Sequence, residues 1–114
     1  MEETIFSKII RKEIPAKIVY EDEDILAFED INPVAPTHVL FIPKKVISSL
    51  DALTEENVGL IGKLLLTISR FASEKGLEKE GYRVVTNTGK NAGQTVFHIH
   101  FHLLAGRQMN WPPG

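Results

Sequence analysis

Three of the four histidines in this 114-residue chain alternate with apolar residues near its carboxyl end: His98, His100 and His102. In a β-strand, side chains two positions apart share a face, so this spacing predicts a row of imidazoles about 6–7 Å apart. The intervening Ile99 and Phe101 would then face the core. Imidazole populates both protonation states near neutral pH, so such a row can attack, orient and donate protons without a metal.

Two other interpretations of the histidine row stay open at this point. Two strand histidines can bind zinc and a third can complete a catalytic trio, but such sites usually add carboxylates behind the ligands. Residues 81–114 contain no Asp or Glu at all. The row could also be three histidines on a solvated sheet face. We favour metal-independent chemistry and expect neither a metal nor another cofactor.

The composition excludes several other classes of protein. There is no cysteine, so disulfide frameworks, thiol nucleophiles and Cys-based zinc fingers are excluded. The net charge of −2 favours neither a nucleic acid nor a membrane as partner. The amino-terminal residues lack the basic start of a signal peptide, and no long apolar run is present, so we expect a cytoplasmic protein.

The pattern of apolar residues predicts a single α+β domain over residues 1–114 with a largely antiparallel five-stranded sheet. A short helix is expected from Thr4 to Arg11, and a long one from Glu55 to Lys75 with Thr54 as its N-cap and Gly76 beyond its end. The expected strands are 16–20, 25–29, 37–42, 82–86 and 96–104.

A glycine-bearing loop precedes the histidine row. Gly89, Gly93, Gln94 and Thr95 could expose backbone N–H groups and a hydroxyl to phosphate oxygens. A plain turn explains the two glycines equally well, because glycine readily adopts positive φ. Taken alone, the loop is a weak indication of phosphate binding.

The histidine row and its flanks resemble the histidine triad (HIT) superfamily of nucleotide hydrolases and transferases. The carboxyl-terminal segment is most similar to the HINT branch of that superfamily, the histidine triad nucleotide-binding proteins. The matching motifs cover nearly the whole chain: Thr4-Ile5-Phe6, Ile14-Pro15-Ala16, Asp30-Ile31-Asn32-Pro33, Ala35-Pro36-Thr37-His38, Ile42-Pro43-Lys44-Lys45, Ala92-Gly93-Gln94-Thr95, His98 to Leu104 and Gly106 to Gly114.

The resemblance implies a homodimer with a ten-stranded sheet that binds AMP, GMP and their phosphoramidates. It implies hydrolysis of purine nucleoside 5′-phosphoramidates, and by extension acyl-adenylates, to a nucleoside monophosphate. His100 would form a covalent nucleotidyl intermediate, His98 and His102 would hold phosphoryl oxygens and assist proton transfer, and His38 would support them from behind. The implied nucleotide-binding residues are Asp30 for the ribose, Ile5, Phe6, Ile9, Phe28 and Ile31 for the base, and Asn87, Gly93, Gln94 and Thr95 for phosphate.

Two questions stay open from the sequence. A nucleotide-binding regulatory or scaffold dimer with little turnover is the alternative function. Trp111 could lie at a dimer interface or beside the substrate.

Overall fold

The computed structural model describes residues 3–114, which form one five-stranded sheet flanked by two α-helices. The strands are β1 (Ile18–Glu21), β2 (Ile25–Glu29), β3 (Thr37–Pro43), β4 (Tyr82–Val85) and β5 (Phe101–Ala105). Their order in the sheet is β1-β2-β3-β5-β4, and every neighbouring pair is antiparallel. The predicted α+β class and five-stranded antiparallel sheet are therefore confirmed.

The two helices begin in different ways. Helix α1 (Ile5–Ile10) starts after Thr4, whose hydroxyl accepts from the N–H groups of Phe6 and Ser7. Helix α2 (Val58–Glu74) is shorter than predicted, because Glu55–Asn57 form a 3₁₀ turn first. Gly76 follows α2 with a φ of +70°, as expected for a left-handed helix end. No helix among residues 3–114 is long and apolar enough to cross a membrane.

The strands are apolar on both faces, so the core has two parts. Helix α2 packs Leu64, Ile68 and Phe71 on one face, against a cluster that includes Phe41 and Phe101. Leu65, in the same helix, is 47% exposed. On the opposite face α1 contributes two buried residues to a smaller cluster: Phe6, Ile9, Leu26, Phe28, Leu40 and Ile42.

The last strand begins later than predicted, at Phe101 instead of Val96, so only His102 of the histidine row lies in the sheet. Neither neighbouring strand pairs with the residues before Phe101. Strand β4 ends at Val85, and the pairing with β3 ends at Phe101. The backbone before Phe101 is satisfied in other ways. The Thr86 hydroxyl donates to the His100 carbonyl at 2.8 Å, and the Ile99 N–H donates to the Ile47 carbonyl at 2.6 Å.

Candidate active site

His100 is held so that one ring nitrogen is free to react. Its Nδ1 lies 2.8 Å from the carbonyl oxygen of His98, and since a carbonyl only accepts, the ring proton sits on Nδ1. The neutral ring therefore carries its lone pair on Nε2. The Phe6 ring packs edge-on against the imidazole, with centroids 5.0 Å apart. The ring orientation and the tautomer of His100 are thus both fixed by contacts within the chain.

His38 and His102 form a chain of hydrogen bonds that ends beside His100. The Val34 N–H donates to Nδ1 of His38 at 3.1 Å, so the neutral His38 ring must carry its proton on Nε2. That Nε2 lies 2.9 Å from Nδ1 of His102 and donates to it. His102 must therefore hold its own proton on Nε2. The His100 and His102 ring centroids are 5.1 Å apart, so a nucleophilic nitrogen and an N–H donor belong to neighbouring rings.

Burial keeps this histidine pair neutral. It is the main cause that lowers the pKa of His102 to about 4, and the neighbouring His100 and His38 rings contribute to the lowering, while the Asp30 carboxylate opposes it. Burial also lowers the pKa of His38, although the Asp30 carboxylate, 3.4 Å from Nε2 of His38, acts in the opposite direction. At neutral pH His102 is thus a hydrogen-bond donor without a positive charge.

His98 differs from the other two members of the row, because its ring is 0% exposed and lies outside the cavity. Its Nε2 lies 2.7 Å from the Pro43 carbonyl and donates to it, while its buried Nδ1 has no hydrogen-bond partner among residues 3–114. Burial lowers the pKa of His98, so this ring is also neutral. His98 acts on the site through its carbonyl, which orients His100, and its ring does not flank His100 at the cavity wall as expected.

An apolar cavity of about 500 Å³ opens beside His100 and His102. All five residues predicted to hold a base line it: Ile5, Phe6, Ile9, Phe28 and Ile31. His38, Asp30 and Thr95 line the same cavity. Phe6, Ile9 and Phe28 belong to the core cluster under α1 as well, so they are both core and cavity wall.

The loop before the histidine row is held together by its own hydrogen bonds. The side chain of Gln94 is buried and bonded to backbone, accepting from the Gly89 N–H and donating to the Ser48 and Val96 carbonyls. The N–H groups of Gly93 and Gln94 donate to the carbonyls of Lys90 and Gly89. Gly93 and Gln94 thus serve the turn, and neither lines the cavity.

Asn87 lies on a second, more open cleft that reaches the other side of His38 and His102. The arginines Arg83 and Arg107 line this cleft, and within the described part of the chain no Asp or Glu side chain does. The charge of this region therefore favours an anion, in agreement with the acid-free sequence after residue 80.

The sequence analysis missed several residues that shape the site. Ile14, Leu40 and Val96 also line the cavity, and Val34 and Thr86 hold the histidines through single hydrogen bonds. The apolar alternation of β3 was the one signal for Leu40. Nothing local to Val34 or Thr86 indicates their partners, because these lie in other parts of the fold.

A free imidazole nitrogen on His100 and an N–H donor on His102, beside an apolar cavity, define a site for nucleophilic chemistry on a ligand with an apolar part. Comparison with known proteins gives the class: the HIT domain matches residues 11–109, so the chain belongs to the HIT family.

Relatives agree over nearly the full length. The chain is 58% identical over 113 residues to an uncharacterized HIT-like protein of Synechococcus elongatus, covering 99% of this chain and 98% of that protein. It is 56% identical over 113 residues to the 14 kDa zinc-binding protein of Zea mays, covering 97% and 88%.

Two solved structures share the fold. A HIT family hydrolase from Legionella pneumophila matches with a TM-score of 0.96 at 48% identity, covering 98% of this chain and 100% of that one. A histidine triad nucleotide-binding protein from Candida albicans matches with a TM-score of 0.81 at 32% identity, covering 96% and 83%. The protein is therefore a hydrolase-like member of the HIT family, a family that binds nucleotides.

Proposed function

We propose that this protein hydrolyses purine nucleoside 5′-phosphoramidates, and also acyl-adenylates, through a covalent nucleotidyl intermediate on His100. The observation that carries the proposal is the fixed His100 ring. Its Nδ1–H is bonded to the His98 carbonyl, which leaves the Nε2 lone pair for attack. The adjoining 500 Å³ cavity is apolar enough for a purine.

The reaction divides into two displacements at the same phosphorus. In the first, Nε2 of His100 bonds to the α-phosphorus and the phosphorus–nitrogen bond breaks. The departing nitrogen keeps the bonding electron pair, takes one proton from water and leaves as the neutral amine. In the second, water attacks phosphorus and the bond to His100 breaks, releasing the nucleoside monophosphate. His102 offers an N–H to a phosphoryl oxygen, because its Nδ1 is occupied by His38.

Substrate binding follows from the cavity lining. The five apolar residues of the predicted base pocket would enclose a purine, and none of them offers a polar atom to distinguish adenine from guanine. Asp30 would accept from ribose hydroxyls. Thr95, at the cavity wall, would donate to phosphate. Phosphate binding by Asn87, Gly93 and Gln94 remains a prediction, and the internal bonds of the last two favour a supporting role.

Trapping the intermediate tests this function. The protein is mixed with adenosine 5′-phosphoramidate, quenched in base, and examined by intact mass and peptide mapping. We expect an adenylyl group on the peptide that contains His100, together with steady release of AMP. His100→Ala should give neither, with an unchanged circular dichroism spectrum.

The same experiment separates the alternative function. A nucleotide-binding scaffold would bind AMP in calorimetry but form no adduct and release no AMP from the phosphoramidate. That result would contradict the proposed hydrolase and support the scaffold.

The proposal includes a homodimer with a continuous sheet. Strand β4 is at one edge of the sheet, where its backbone can pair with a second copy, and Tyr82 and Val84 expose apolar side chains there. Leu65 and Leu66 of α2 are about half exposed. Light scattering after size exclusion should give twice the 12.8 kDa chain mass, and Val84→Glu should reduce it, unlike Leu50→Glu at a similarly exposed site elsewhere.

Zinc binding is the second candidate function, and one cluster of side chains favours it. Within residues 3–114, Asp30, His38 and His102 place potential ligand atoms within 4.8 Å of one another. Two imidazoles and a carboxylate suit zinc, which would supply Lewis-acid chemistry there. Binding would displace the proton shared by the two rings. Calorimetry with zinc chloride tests it, and activity that survives chelation would show that hydrolysis does not need the metal.

A further inference from the structure

The end of β5 is fastened to the loop between β2 and β3. Gly106 has a φ of +98°, and a Cβ atom at this position would come within 2.8 Å of the Pro36 Cβ. Glycine is therefore required for the close approach. The next residue, Arg107, donates its Nε–H to the Val34 carbonyl at 2.9 Å.

Val34 carries two hydrogen bonds that point in different directions. Its carbonyl accepts from Arg107, and its N–H donates to Nδ1 of His38. The side chain of Val34 is 58% exposed, so apolar packing does little to hold this residue. Because only φ and ψ separate the two peptide planes of one residue, fixing its carbonyl restricts where its N–H points.

The direction of that N–H decides which nitrogen of His38 carries the proton. With the Val34 N–H in place, His38 donates from Nε2, and His102 accepts on Nδ1 and keeps its proton on Nε2. Without it, His38 could hold its proton on Nδ1 and accept on Nε2. His102 would then donate from Nδ1, and its Nε2 would be a lone pair instead of a donor.

Asp30 limits how far this change can go. Its carboxylate lies 3.4 Å from Nε2 of His38 and favours a proton there. Loss of the Arg107 bond should therefore shift the tautomer populations without inverting them. Since the bond is exposed, we expect a change of about 3- to 10-fold, the size associated with one ordinary hydrogen bond.

We propose that Arg107 is a positioning residue, which acts through Val34 and His38 to keep His102 in the tautomer that donates from Nε2. The tautomer part stands on the hydrogen bonds alone. The kinetic consequence rests on the proposed function, in which that N–H contacts a phosphoryl oxygen.

The test combines imidazole nitrogen NMR with kinetics on chelator-treated protein. Arg107→Met and Arg107→Gln remove the bond, Arg107→Lys keeps the charge and a donor, and Arg70→Met removes an exposed arginine from α2 as the matched control. In the wild type, long-range proton–nitrogen spectra should give Nε2–H tautomers for His38 and His102. The Met and Gln variants should give mixed tautomers and faster amide exchange at Val34.

Kinetics separate this inference from the proposed function. For adenosine 5′-phosphoramidate, the Met and Gln variants should lower kcat about 3- to 10-fold with KM changed less than about 2-fold, while Lys restores most of the rate. Wild-type tautomers in the Met and Gln variants would overturn the inference, and so would effects equal to those of Arg70→Met. If the wild type shows no turnover but the tautomers shift, the proposed function fails and the positioning role remains.

Discussion

The two faces of the sheet are covered by helices of very different length. On one face, the 17 residues of α2 cover the larger core cluster, in which Leu64 and Phe41 are 0% exposed. On the other face, α1 has six residues and contributes only Phe6 and Ile9 to the buried cluster. The strands place apolar side chains on both sides, and His38 and His102 share the α1 side with Leu40. The site therefore lies where the sheet lacks enough helix to cover it, and the uncovered area is the cavity.

This difference also divides the titratable groups. The histidines with lowered pKa values, His38, His98 and His102, lie at the cavity or just behind it. On the α2 side, Lys63 pairs with Asp22 and Asp24 at the surface. One face thus combines packing with chemistry, whereas the other serves stability, and each of the following predictions tests that division.

The largest expected effect is on catalysis, from His100→Ala. Loss of the nucleophile should lower kcat by on the order of 10³-fold or more, because the residues around it cannot form the nucleotidyl bond. The rate of phosphoramidate hydrolysis, monitored as AMP release, measures this loss of activity. The melting temperature should change little in comparison with a core substitution. A variant that keeps full turnover would contradict the assignment of His100.

A pair of phenylalanines compares the faces directly. Phe41→Ala, in the core under α2, should lower the free energy of unfolding by about 3–5 kcal/mol. Phe28→Ala, at the cavity wall, should cost at least about 1 kcal/mol less, because part of its surroundings is already open. Urea unfolding and AMP calorimetry measure both. We expect weaker AMP binding only for Phe28→Ala, and equal costs would contradict the comparison.

As the pH falls, the free energy of unfolding should decrease first because of His102, on the cavity face. The pKa of His102 is about 4 in the folded chain and near 6.5 when unfolded, so between these values the unfolded state binds more protons. The free energy of unfolding should therefore fall as pH drops from 6.5 to 4, by on the order of 2 kcal/mol. Urea unfolding of chelator-treated protein at several pH values measures it, and His102→Gln should flatten the slope.

The turn packed against α2 should respond only at lower pH. Burial raises the pKa of Asp22, but hydrogen bonds from Tyr20 and from the N–H groups of Asp24 and Ile25, with the charge of Lys63, lower it to about 2. The stabilisation from Asp22 is present above its unfolded value of 3.8 and is lost as pH falls toward 2. Asp22→Asn should therefore alter the unfolding curve below pH 4 and leave the slope between 6.5 and 4 unchanged.

The smallest expected effect concerns an exposed residue at the cavity mouth. Ile5 is 51% exposed, and Leu50, which is not among the residues that line the cavity, is 49% exposed. Alanine at either position should change the free energy of unfolding by less than about 1 kcal/mol. Only Ile5→Ala should weaken AMP binding, by about 3- to 10-fold for the lost apolar contact. Equal affinities in calorimetry would remove Ile5 from the base pocket.

Much of the fold follows from local patterns in the sequence. The alternation in Ile25–Glu29 predicts β2 with its observed bounds, and Thr4 and Gly76 mark helix ends because their chemistry suits capping. Thr54, predicted as the N-cap of the long helix, instead precedes the 3₁₀ turn that leads into α2. The end of the ladder before Phe101 could not be predicted. It depends on where β4 ends and on the Thr86 hydroxyl, and residues 96–100 themselves give no indication of either.

The sequence by itself determined the histidine spacing, the apolar strands, the absence of cysteine and the acid-free end of the chain. Only the tertiary structure decided that His98 is buried behind the site, that His38 and His102 share a proton, and that Gln94 braces a turn. Identical side chains receive different roles because hydrogen-bond partners and burial come from residues distant in sequence. Local spacing predicts which residues lie on the same face of a strand. It carries no information about which residues from other parts of the fold pack against that face.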